Sequence, residues 1–79
     1  MLIDGKVKKV ALMAAVDFCL KKTSQSPKRC ARNLIELGIS AYPGRIDKSE
    51  QNELYQKFLD FFENNDISSA RGLFTSVFL

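Results

Sequence analysis

Catalysis in this chain would have to be built from Asp17, Cys19, Cys30 and Tyr55, because no histidine is present to serve as the usual general base. A cysteine becomes a useful nucleophile when nearby cations stabilise its thiolate, and the cations set beside Cys30 are Lys28 and Arg29. Two cysteines without histidine do not make a zinc site unless carboxylates or a second chain complete it, so no metal and no cofactor is expected. Cys19 and Cys30 lie equally far from Ser24 and Gln25. On two antiparallel helices joined there they sit at one level, where a disulfide is geometrically allowed. In a chain without a secretion signal, two reduced thiols used as small core residues are the better reading. The chain is therefore expected not to be an enzyme.

Binding chemistry is better represented. Lys28, Arg29, Arg32 and Asn33 are all types that contact phosphates or base edges, and they follow Ser26-Pro27 at the start of a helix. The segment from Thr23 to Ile39 can be read as a helix-turn-helix with these four residues on its recognition helix. The plainer reading is a solvated face in which Arg32 pairs with Glu36 one turn later. Charge is also divided along the chain. Residues 1–45 carry nine Lys/Arg against Asp4, Asp17 and Glu36, while residues 46–79 carry three against six acids, giving +6 and −3. Such a dipole suits an anionic partner, nucleic acid included, or mutual attraction of the two halves within the fold or a dimer.

The elements that must position these groups are all helical. Apolar spacing, Ser26-Pro27, Asp47 three residues ahead of Glu50, and Asp66 predict helices over 5–22, 26–41, 48–63 and 67–78. Asp4 is read as the cap of the first. The expected fold is all-α: one domain over residues 1–79, a small four-helix bundle built from two helical hairpins with short loops. Asp17-Phe-Cys and Ala31-Arg-Asn-Leu-Ile35 match Asp60-Phe-Phe and Ala70-Arg-Gly-Leu-Phe74, a weak internal similarity that two related hairpins would produce but that is more often coincidence in a helical chain. The expected core is Val10, Ala14, Phe18, Cys30, Leu34, Leu37, Leu54, Phe58, Phe61, Leu73 and Val77. Gly38 either lets another helix approach closely or stops its own helix.

The first helix is the anomaly. From Val10 to Leu20 its single polar residue is Asp17, and a helix apolar all round is a buried one. The run is about half the ~20 residues a bilayer crossing needs and is bracketed by lysines, so no membrane segment is expected and the protein is read as cytoplasmic. A core this small has only roughly 3–5 kcal/mol to spare, and association is a common remedy. Leu12, Met13, Val16 and Leu20 are accordingly expected to face a partner or a second copy in a homodimer, with Lys21, Arg32 or Arg71 answering Asp17. The function expected is a small protein–protein interaction module, a regulator or adaptor. The alternatives are a DNA-binding regulator using the basic helix and a small helical immunity or antagonist protein, the latter on size and fold class alone.

Overall fold

A side chain that accepts a hydrogen bond from a free backbone N–H starts three of the four helices. In a computed structural model, which describes residues 5–21 and 25–79, the helices are α1 (Gly5–Lys21), α2 (Pro27–Ala41), α3 (Lys48–Glu63) and α4 (Ile67–Phe78), and no strand occurs among the described residues. Ser26 Oγ accepts from the Arg29 N–H at 3.3 Å, with Pro27 at the first helical position where its missing donor costs nothing. At α3 the capping box is complete: Asp47 Oδ1 accepts from the Glu50 N–H at 2.8 Å, and Glu50 Oε1 accepts from the Asp47 N–H at 3.2 Å. Asp66 Oδ1 accepts from the Ser69 N–H at 3.2 Å to start α4. Asp4, expected to cap α1, and Lys22, expected as its last residue, lie outside the described residues.

The helix ends are as specific as the starts. Asn65 takes φ 57°, and the Asp66 N–H donates to Phe61 O at 2.8 Å while the Asn65 N–H donates to Phe62 O at 3.2 Å. That pair of bonds is a Schellman closure with asparagine in the left-handed position, and it turns α3 directly into the Asp66 cap. After α2, Tyr42-Pro43-Gly44-Arg45 forms a turn closed by the Arg45 N–H on Tyr42 O at 3.2 Å, with Gly44 at φ 81° in the position a type II turn reserves for glycine.

Packing connects α1 to α2 and α4, α2 to α3 and α4, and α3 to α4. The core is Leu12 and Val16 from α1, Cys30, Ala31, Leu34 and Ile35 from α2, Leu54, Phe58 and Phe62 from α3, and Ala70, Phe74 and Phe78 from α4. Cys30, Leu34, Leu54 and Phe58 are where the periodicity placed them. Leu37, Phe61, Leu73 and Val77 are half-buried against the core rather than in it. On α4 the deepest seam is Ala70, Phe74 and Phe78: small Ala70 admits close approach, and the two rings, 4.9 Å apart and tilted by 43°, fill the space below it.

The largest departure is on α1, where Val10, Ala14 and Phe18 were expected inside. Val10 is 70% and Phe18 62% exposed, and Ala14 is also exposed, whereas Leu12 is 7% and Val16 0% exposed. A helix apolar on every side carries no phase information, so its neighbours choose the buried face. The face chosen holds Leu12, Val16 and, at its edges, Met13 and Leu20, which offers more aliphatic surface than a face centred on Ala11 and Ala14. Leu12 and Val16 thus lie in the chain's own core instead of facing a partner, and Met13 and Leu20 pack against that core.

Gly38 continues α2 and is buried, and a Cβ built on it would overlap the Phe78 ring. Gly38→Ala is therefore expected to destabilise the fold by about 1–3 kcal/mol despite alanine's better helix propensity. Urea denaturation measures this, and in a Phe78→Leu background the cost is expected to shrink, since the two positions share one contact.

Candidate interaction surface

Opposite the Leu12–Val16 seam, at 100° per residue, α1 turns Val7, Val10, Ala11, Ala14 and Phe18 outward, and all five are exposed. Val7 is 58% exposed, so with Val10 and Phe18 the three largest side chains of this face keep most of their surface in water. Single exposed apolar residues are ordinary, but five on one face of one helix form a contiguous strip. Lys9, Val10, Met13, Ala14 and Asp17 line a shallow concavity along its edge.

Three contacts hold α1 in this rotation. Arg71 of α4 donates to Asp17 in a two-point fork, Nε to Oδ1 at 2.8 Å and Nη2 to Oδ2 at 3.5 Å. One turn earlier Met13 faces α4, where the Thr75 hydroxyl lies 4.0 Å from its sulfur. At the other end of the helix, Lys8 Nζ stands 4.5 Å from the centroid of the Tyr42 ring, which also carries Arg45 at 4.9 Å. Of the three cations the sequence offered to Asp17, Arg71 is the hydrogen-bonded one. That bond is the main reason the Asp17 carboxyl sits below its ordinary value of 3.8; burial opposes it, and the charges of Arg71 and Lys21 add to the lowering.

The basic residues of α2 occupy a different surface. Lys28, Arg29 and Arg32 are exposed near the helix start, and none of the three stands within ion-pair distance of an acid among the described residues, so the expected Arg32–Glu36 pair is not formed. Asn33 is half-buried and its amide donates to Gln25 Oε1 at 3.1 Å, tying the segment before α2 to the helix. Arg32 also borders a groove of about 460 Å³ between α2 and α3, with Glu36, Gln51, Asn52, Tyr55 and Gln56 along its walls.

The four residues from which catalysis would have to be built have the following surroundings. Asp17 is bound by Arg71, and Tyr55 lines the α2–α3 groove. Cys19 and Cys30 are both free thiols, and burial, with a smaller contribution from Cys19, pushes the Cys30 thiol above its ordinary value and keeps it protonated. No cluster of three metal-ligating side chains occurs among the described residues, and no helix among them is long and apolar enough to cross a membrane. The strip on α1 was readable as a spacing, since Val7, Ala11, Ala14 and Phe18 are four, three and four residues apart. Spacing alone does not say that this face stays outside, because the opposite face is equally apolar.

Two measurements check this geometry. Val10→Asp is expected to change stability by no more than about 0.5 kcal/mol, whereas Val16→Asp, which buries a charge, should cost several kcal/mol in the same denaturation assay. For Asp17, a folded-state value held below that of the unfolded chain contributes stability that is present above about pH 4 and is lost as pH falls through the folded value. The Tm gap between wild type and Asp17→Asn should therefore be constant near neutrality and close on acidification below pH 3.8. No protein-family model, no curated protein and no solved structure matches the chain.

Proposed function

We propose that this chain is a non-catalytic protein–protein interaction module, a small cytoplasmic regulator or adaptor, and that it receives its partner on the outer face of α1. The observation that carries this reading is the exposure of Val7, Val10 and Phe18, at 58%, 70% and 62%, on the side of α1 away from the core. Water gains nothing from these side chains, and burying each against another protein returns roughly 1.5–3 kcal/mol before the costs of association. Lysines border the strip, which favours a partner with acidic groups beside its own apolar surface. A homodimer would bury the same strip, with Asp17 as the one acid of α1 beside it. An immunity or antagonist role would use the same face.

A second reading has its own observation. Lys28, Arg29 and Arg32 form an exposed cationic cluster without acidic partners among the described residues, as a surface that binds DNA phosphates would. Asn33, held by Gln25, adds little to base reading in that case.

Affinity capture from the native extract with wild type and a Val10→Asp/Phe18→Asp variant tests the first reading. A protein retained by wild type and lost by the folded variant is expected; equal retention by both would remove α1 from the interface. Gel shifts at two salt concentrations test the second. Salt-sensitive retention that disappears in Arg29→Ala/Arg32→Ala would make nucleic acid the partner.

A further inference from the structure

We infer that the outer face of α1 pairs with the same face of a second copy of the chain, the two helices running antiparallel about a twofold axis that passes between Ala11 and Ala14. This rests on the reading of α1 as the docking face and adds the identity and orientation of its occupant.

The spacing supplies the first ground. Val7, Ala11, Ala14 and Phe18, all exposed, repeat at four, three and four residues, the seam along which two helices pack side by side. Sizes supply the second. The strip is bulky at both ends and small in the middle, so reversing one copy sets Val7 against Phe18 of the second copy and Ala11 against Ala14 of the second copy. The alanines let the helix axes approach at the twofold axis, and the larger side chains close over the two ends. A surface that is its own complement under a twofold rotation is what a symmetric dimer requires.

Charge decides the direction. A parallel pair would crowd Lys6, Lys8 and Lys9 of both copies at one end, on top of two helix N-termini that are already positive. The antiparallel pair places each lysine-rich N-terminus beside the other helix's C-terminal half, where Asp17 and Lys21 balance and the dipole presents its negative end, so the crowding of like charge is avoided. From Val7 to Phe18 the seam is roughly 16 Å long at 1.5 Å per residue, short for a standard interface. The dimer is therefore weak and reversible, with a Kd on the order of micromolar or above.

Sedimentation equilibrium over a wide concentration range tests the pairing. Wild type is expected to pass from monomer to dimer, and Ala14→Glu to weaken dimerisation at least about tenfold. In Ala11→Lys/Ala14→Glu, an antiparallel pair sets each introduced lysine against an introduced glutamate and dimerisation should recover. In a parallel pair like charges meet, so a dimer lost in Ala14→Glu and not recovered in the double variant overturns the orientation. Circular dichroism establishes that the variants fold. Should either not fold, isotope-filtered NOEs in a mixed-label sample of wild type decide the matter: cross-peaks between Val7 of one copy and Phe18 of the other are expected, and Phe18–Phe18 cross-peaks would refute the register. A wild type that stays monomeric at every concentration overturns the self-pairing altogether. If Val10→Asp/Phe18→Asp then still loses a different captured protein, α1 remains the docking face with another occupant; if it loses nothing, the docking reading falls as well.

Discussion

The Phe78 ring lies over Gly38, and the placement of α4 depends on that approach. Without a Cβ, Gly38 lets the end of α4 settle directly on α2, so that Phe74 and Phe78 can both be fully buried. Bringing α4 to this position also sets Arg71 and Thr75 beside α1. Arg71 then meets Asp17, and Thr75 meets Met13. The rotation of α1 follows from these contacts together with the burial of Leu12 and Val16, and the face left outside follows from the rotation. A glycine in the last turn of α2 is thus connected, through one ring and one helix, to the choice of which face of α1 stays in water.

The forces along this chain of contacts differ in weight. Asp17 and Arg71 are each about half exposed, at 43% and 49%, and an ion pair this open to water is screened and weak. Burial of Leu12 and Val16, at roughly 1.5–3 kcal/mol for each fully buried side chain, is the larger effect. The ion pair selects between rotations that burial leaves close in energy, because both faces of α1 are apolar. Caps and turns set where the chain reverses. Apolar volume sets how deeply each helix sits.

Three further helices cannot enclose a fourth that is apolar on all sides. In a chain of 79 residues the surface-to-volume ratio forces one side of α1 to remain in water. The exposed strip is what is left over after the core has formed, and it is the surface on which the proposed association rests. The basic start of α2 is separate from this strip and would serve a different partner.

Local rules decided the helices and their ends. Ser26-Pro27, Asp47 with Glu50, and Asp66 start helices within a residue of the positions their types imply, because a cap is a contact over three residues and needs no distant partner. The α2 and α3 core residues Cys30, Leu34, Leu54 and Phe58 were legible for a similar reason: amphipathic periodicity states which side faces inward. On α4 the periodicity found the apolar side but placed Leu73 and Val77 deeper than they lie, since the seam through Ala70, Phe74 and Phe78 was set by how closely α4 approaches its neighbours. On α1 periodicity was silent. Leu12 and Val16 were interchangeable with Val10, Ala14 and Phe18 until Arg71, 54 residues away from Asp17 in the chain, and the packing of α2 and α4 chose between them. The sequence by itself determined that α1 has more apolar surface than its neighbours can cover. Which surface stays uncovered was decided by tertiary structure, because it is a property of the contacts and not of the helix.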